Sequence, residues 1–284
     1  MKIDRIDLYA YFGLERQEGA SGYLNVYILD DIFKDRIRPA MLVVAGGGYS
    51  AVSNREKEPI ALAYMAQGFN AFTLEYSITP LHFPTQFIEG CMAIAYIREN
   101  SSELHIDPNH VAGIGFSAGG HLCGTLGTLF NDEVVKEYLG ERASLCRLDA
   151  VIYSYAVLSA YGKIHAGSIE RVSGGDEVLR KKMDIPSMVD ENSVPAFIWA
   201  NNGDRAVPAE NSLLTALAYR EKGVPCELHL FEQGGHGLSL ATLETAPPSM
   251  LDSHIRESVQ PWVEMSVTWL KNRGFEVKDI IKEN

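Results

Sequence analysis

The chain has 284 residues, with 25 lysines and arginines against 37 aspartates and glutamates, a formal net charge of −12. A hydrophobic content of 46% is that of a folded globular protein and excludes disorder as the main state. The acidic balance argues against nucleic acid or an anionic membrane as the main partner, because both would repel it.

From the N-terminus, MKIDRIDLYAYF carries acids and lacks a continuous apolar core, so it does not read as a signal peptide. Residues 3–9 and 23–29 alternate apolar with polar and read as two strands of an antiparallel edge. Residues 39–45 (PAMLVVA) form an apolar, β-branched run closed by Gly46, Gly47 and Gly48. A helical pattern over about 56–67 leads to a strand at 70–74, and a second over 85–100 leads to a strand at 110–116. Strands at 150–155, 196–200 and 226–231 repeat the theme, with a helix over 211–222 before the last. Two stretches break the rhythm. Residues 158–194 carry Gly, Ser, Arg and Lys with weak periodicity, and a connection that long often covers a site. Residues 238–258 include Pro247-Pro248 and precede a C-terminal helix near 259–271.

Continuous apolar strands alternating with helices imply a parallel sheet covered on both faces. The expectation is an α/β protein with one domain over residues 1–284. Its mostly parallel central sheet has about eight strands flanked by helices, and residues 158–194 form a small cap-like insertion. No apolar stretch is long enough to span a membrane. Cys91, Cys123, Cys146 and Cys226 show neither CxxC nor metal-ligand spacing, so they read as reduced thiols of a cytoplasmic protein.

Gly115-Phe116-Ser117-Ala118-Gly119 fits GxSxG where a strand ends and a helix begins. A serine on so sharp a turn has its hydroxyl lifted clear of the sheet edge, with free helix N–H groups beside it. It also needs a base to take its proton. Asp204, in NNGDRAVP after the strand at 196–200, and His236, in GGHG after the strand at 226–231, fall on the same edge. A carboxylate there would hold the imidazole in the right tautomer. Asp176 and Asp190 are alternative acids. His82, His105, His110, His229 and His254 lie away from post-strand loops or inside a strand. His121, one turn after Ser117, lines the pocket or simply packs, and His165 lies in the insertion. Three glycines leave N–H groups unshielded for a developing oxyanion, pairing Gly47 and Gly48 with Ala118. GGGYSA is neither a Walker loop nor a dinucleotide fingerprint.

With these residues in place, the chain resembles the α/β-hydrolase superfamily in its carboxylesterase branches, hormone-sensitive-lipase-like and acetyl-xylan-esterase-like. IDPNHVAGIGFSAGGHLCGTL (residues 106–126) resembles their elbow, LEYSITPLHFP (74–84) a tyrosine- and proline-containing segment, and GGHGLSLA (234–241) the histidine segment of the acetyl-esterase branch. The resemblance implies Ser117 as nucleophile, Asp204 as orienting acid, His236 as general base, and Gly47, Gly48 and Ala118 as oxyanion hole. Tyr49 would stand beside the acyl group, with His121 and Tyr155 shaping the pocket. Two departures stand out. Ala45 occupies the place of the lipase-like histidine, and the acid segment resembles the Asp-x-x-Val-Pro run of dienelactone hydrolases and prolyl oligopeptidases.

The reading is a serine hydrolase of short acyl esters, acetyl first, with an acetylated sugar as the first guess for substrate and no metal, nucleotide or flavin. A prolyl-oligopeptidase-like peptidase and a lactonase remain as alternatives on the same residues, and a non-catalytic binding module as one of another class. A small-molecule ester is the expected partner, and a homo-oligomer is compatible with the sequence.

Overall fold

In the computed structural model, which describes residues 1–30 and 36–279, the apolar runs become strands of one sheet. They are β1 (Lys2–Asp7), β2 (Tyr23–Ile28), β3 (Arg36–Val44), β4 (Asn70–Glu75), β5 (Ile106–Phe116), β6 (Ala150–Ser154), β7 (Ala196–Asn201) and β8 (Cys226–Phe231). A short β9 (Lys278–Asp279) pairs antiparallel with the start of β3. The helices before the insertion are α1 (Leu8–Phe12), α2 (Glu58–Met65), α3 (Thr85–Glu99), α4 (Ala118–Thr128) and α5 (Glu133–Leu139). Residues 158–194 hold α6 (Ala166–Ser173), α7 (Glu177–Lys182) and α8 (Ile185–Met188). Then come α9 (Glu210–Glu221), α10 (Leu251–His254) and α11 (Trp262–Lys271). Among the described residues no helix is long and apolar enough to cross a membrane.

The strand order is β1-β2-β4-β3-β5-β6-β7-β8. β1 and β2 pair antiparallel, as do β2 and β4, and the pairs from β4 through β8 are parallel. Successive strand side chains point to opposite faces, so a central strand feeds two cores. Ala40, Leu42 and Val44 of β3 join Met92, Leu122 and Tyr219 from α3, α4 and α9. Met41 and Val43 join Tyr64 and Trp262 from α2 and α11 on the other face.

Two boundaries differ from the sequence pattern for local reasons. The first strand stops at Asp7, whose carboxylate accepts the Ala10 N–H at 3.0 Å and caps α1, so Leu8 and Tyr9 are helical rather than extended. β5 begins four residues before its apolar run, with an irregular register against β3 between Arg38 and Ala40.

β3 has β4 on one side and β5 on the other, which makes it the point where the strand order reverses. In open α/β sheets a crevice forms there, outside the carboxyl ends of the strands. The glycine run follows β3, Ser117 follows β5, Asp204 follows β7 and His236 follows β8, so all reach the same edge.

Candidate active site

Ser117 joins β5 to α4 at φ 50°, ψ −118°, a conformation an L-residue adopts at a cost of about 1–3 kcal/mol. Its surroundings hold it there. The Ser117 N–H donates to Ser154 O (3.1 Å) at the end of β6, and its carbonyl accepts from Val157 N–H (3.0 Å) and His121 N–H (3.1 Å). The flanking glycines are required by contact as well as by the turn. A Cβ on Gly115 would stand 2.3 Å from Gly119 O, and one on Gly119 would stand 2.2 Å from Val44 O.

His236 faces Ser117 and Asp204 together. Its Nε2 lies 2.8 Å from Ser117 Oγ and its Nδ1 2.7 Å from Asp204 Oδ2. A carboxylate oxygen only accepts, so Nδ1 carries the proton and Nε2 is free to accept from the serine hydroxyl. The Asp204 side chain is fully buried, and its other oxygen accepts the N–H groups of Ala206 and Val207, both at 2.9 Å. Asn201 at the end of β7 donates from Nδ2 to Gly235 O (2.8 Å) and so ties the acid and histidine loops together. A serine, imidazole and carboxylate linked this way can generate a nucleophile at neutral pH. The alternative acids are engaged elsewhere: Asp176 caps α7, and Asp190 holds a turn with Asn192 and Ser193.

The glycine run wraps a buried carboxylate that the sequence reading missed. Glu56 accepts the Gly46 N–H at 2.8 Å through one oxygen and the Tyr155 hydroxyl at 2.6 Å through the other. A Cβ on Gly46 would meet both Glu56 Oε2 and Ser117 Cβ at 2.9 Å, so the first glycine is what lets carboxylate and serine approach the same strand end. Gly47 has φ 138°, and a Cβ there would stand 2.1 Å from Ala51 O. Among the described residues no acceptor takes the N–H of Gly47, Gly48 or Ala118. Nothing in the local pattern around Glu56 marks it, since an acid at the head of a helical segment is ordinary.

Tyr49, His121 and Tyr155 are all buried, and none of them reaches the wall of the cleft. Tyr49 donates to His121 Nδ1 (2.8 Å), while His121 Nε2–H donates to Met183 O in the insertion (2.9 Å). Burial pushes the His121 imidazole down to about 4, so it is neutral and packs rather than lining the pocket. Tyr155 lies behind the histidine, its ring edge-on to His236 at 5.1 Å and its hydroxyl accepting the Ser239 N–H at 3.0 Å.

The cleft itself, of about 440 Å³, is lined by Gly47, Gly48, Ser117 and His236 together with Arg55, Glu56, His165 and Arg171. Arg55 holds the histidine loop, donating to Gly237 O (2.9 Å) and Thr245 O (2.8 Å). His165 and Arg171 come from the insertion. Arg171 donates to Gly48 O at 3.1 Å, and His165 shares a hydrogen bond with Ser168 Oγ at 2.8 Å. Burial, then the nearby His236 and Arg171, pull the His165 imidazole below its ordinary range. Of the other histidines, His110 pairs with Asp107, His229 with Glu227 and His254 with Ser253, and a Cβ on Gly174 would press on the His82 ring.

Residues 24–218 match the family BD-FAE. The chain is 37% identical over 243 residues to endo-1,4-beta-xylanase B of Butyrivibrio fibrisolvens, covering 82% of this chain and 37% of that protein. It is 29% identical over 214 residues to the acetylxylan esterase of Xylanibacter ruminicola, covering 72% of this chain and 42% of that one. The chain thus spans less than half the length of these two relatives. Among solved structures, it aligns with the acetyl ester-xyloside bifunctional hydrolase from Caldicellulosiruptor lactoaceticus at a TM-score of 0.78 and 35% identity, covering 89% of this chain and 88% of that one.

Proposed function

The chain belongs to the BD-FAE family and has the α/β-hydrolase fold, and from that premise we propose that it hydrolyses carboxylic esters of short acyl groups, acetyl first, carried on sugars. The observation that supports this most directly is the line Asp204–His236–Ser117, at 2.7 and 2.8 Å, opening into a cleft beside backbone N–H groups that no acceptor among the described residues takes. In this reading Ser117 Oγ attacks the ester carbonyl carbon as His236 Nε2 takes its proton. The carbonyl oxygen becomes an oxyanion, held by the N–H groups of Gly47, Gly48 and Ala118. Collapse expels the alcohol, which leaves with the proton from His236, and an acyl-serine remains. Water then attacks the acyl carbon through the same base and releases the acid and free Ser117. Asp204 stabilises the imidazolium at each stage.

Acetyl on sugar is favoured because the Butyrivibrio, Xylanibacter and Caldicellulosiruptor proteins carry xylan or acetyl ester activities in their names. The polar wall contributed by His165 and Arg171 suits a hydroxylated alcohol better than an aliphatic one. Residues 158–194 act as the cap of a single domain. The unpaired cysteines fit a reducing cytoplasm.

The test compares wild type with Ser117→Ala on p-nitrophenyl esters from acetyl to octanoyl and on peracetylated xylose. Fastest turnover of acetyl, release of acetate from the sugar and a dead variant are expected. Equal rates in the two proteins, or no ester turned over by wild type, would remove this reading. Labelling of wild type but not Ser117→Ala by a fluorophosphonate checks the nucleophile independently.

A further inference from the structure

α6 shows two faces. Ser168, Ile169, Val172 and Ser173 are buried, whereas Gly167, Glu170, Arg171 and Gly174 recur at i, i+3, i+4 and i+7 and line a second hollow of about 410 Å³. Thr79 and Pro80, from the loop after β4, close its far side. The Thr79 N–H donates to Tyr49 O at 2.8 Å, which fixes that rim to the glycine run. Arg171 lines this hollow and the catalytic cleft alike, so the two adjoin across its guanidinium.

We propose that this hollow is a second subsite, which takes the portion of a neutral oligosaccharide alcohol lying beyond the ester that Ser117 cleaves. The proposal rests on the ester-hydrolase reading for its direction along the cleft. Its chemistry comes from the lining. Neither Glu170 nor Arg171 forms an ion pair among the described residues, and Arg171 spends only one donor on Gly48 O. Both line the hollow, where the carboxylate can accept and the guanidinium donate, the two kinds of hydrogen bond that the hydroxyls of a sugar make. Their charges offset, so the pair favours a neutral polyol over an ion of either sign. The Thr79 hydroxyl adds a group that donates and accepts, and the Pro80 ring offers an apolar surface to the C–H face of a sugar. The glycines keep the hollow open: a Cβ on Gly167 would stand 3.0 Å from the Arg171 guanidinium, and one on Gly174 would stand 3.0 Å from the His82 ring. Ser117 lines the cleft but not this hollow, so the hollow is open to a part of the substrate other than the scissile ester.

The test has two arms. In the first, xylotriose is titrated calorimetrically into wild type, Glu170→Ala and Thr79→Trp. Glu170 and Thr79 are exposed, so neither change disturbs the core, and thermal melts check it. Wild type should bind xylotriose, and each variant should bind it about tenfold or more weakly, Glu170→Ala by losing a hydrogen bond to a charged group and Thr79→Trp by filling the hollow with its indole. Equal binding by all three proteins, or none by wild type, overturns the subsite. In the second arm, kcat/KM for acetylated xylotriose is divided by kcat/KM for acetylated xylose, with p-nitrophenyl acetate as the control ester. A ratio well above one in wild type that collapses in both variants supports the subsite; a ratio of one in wild type overturns it. Turnover of p-nitrophenyl acetate without length preference defeats the subsite alone. Absence of any ester turnover defeats the hydrolase reading, and the titration then decides the subsite by itself.

Discussion

The wall of the cleft built from the sheet edge and the wall built from residues 158–194 face the same serine, yet one is saturated with partners and the other is not. On the sheet side, Glu56 holds Gly46 and Tyr155, Tyr155 holds Ser239, Asn201 holds Gly235, and the Trp262 indole donates to Ser239 O at 3.0 Å. These groups are buried and linked, so the loops after β3, β7 and β8 are bound to one another as well as to their strands. On the insertion side, Arg171 has a single hydrogen bond and Glu170 points to solvent without an ion pair among the described residues. Chemistry asks for reacting groups fixed in advance, because charge develops too quickly for a loose site to reorganise. Recognition of a polyol asks for donors and acceptors still free to be satisfied. On the proposed function, the first wall would supply the catalytic power and the second the choice of alcohol.

The largest effect should come from breaking the saturated wall at its carboxylate. Asp204→Asn keeps the shape but offers the imidazole a donor, and kcat should fall by about 10⁴-fold with little change in KM. Steady-state kinetics on p-nitrophenyl acetate would show this; a loss under tenfold would make Asp204 a mere turn residue.

Next comes Glu56→Gln. Its amide cannot accept from Gly46 and Tyr155 at once, so the glycine run and the tyrosine behind His236 should drift apart. A displacement of about 1 Å costs on the order of 10²-fold, here expected in kcat rather than KM. Counting active sites with a fluorophosphonate separates this from partial unfolding: a positioning role lowers turnover per labelled serine, whereas a purely structural role lowers only the number labelled.

On the open wall, Arg171→Ala should act in the opposite sense, raising KM for acetylated sugars about tenfold while kcat on p-nitrophenyl acetate falls less than in Glu56→Gln. Equal losses on both substrates would erase the distinction between the walls.

The smallest effects are on stability. Glu89 on α3 is buried against Tyr9 and Ser77, and burial pushes its carboxyl up to about 7. The folded state then binds the proton more tightly than the unfolded chain, so stability should decline as pH rises from about 4.5 to 7, by at most ~1.4 kcal/mol per unit. His121 works in the opposite sense over nearly the same range. Held neutral down to about 4 when folded, it stabilises above the ordinary histidine range, and that contribution is lost as pH falls from about 6.5 to 4. Over about pH 4.5–6.5 the two contributions oppose each other, so thermal melts across pH 4–8 should show stability rising with pH between about 4 and 6.5 in Glu89→Gln and falling between about 4.5 and 7 in His121→Gln.

Much of the site was legible because its residues obey local rules. A serine between a strand and a helix must have glycines beside it, and loops after parallel strands must emerge on one edge. GxSxG, the aspartate after one strand and the histidine after the next therefore pointed to one place before any distance was known. Glu56, Tyr155 and Arg171 are different. Each acts across the fold, Glu56 on a residue 99 positions away and Arg171 on one 123 positions away, and no spacing rule links such pairs. Tyr49 and His121 stand where a pocket wall is expected from proximity to the glycine run and the elbow, yet they hydrogen-bond to each other behind it.

Short-range periodicity and turn chemistry were thus enough to establish a parallel sheet and the order of its strands along the chain, and to single out a serine, an aspartate and a histidine that the fold brings within hydrogen-bond distance of one another. The spatial strand order, with β3 between β4 and β5, depends on which strand edges meet, and only the packed chain decides that. The same holds for the carboxylate under the glycine run and the arginine above it. Their partners are distant in sequence, and they come together only once both cores have closed on the sheet.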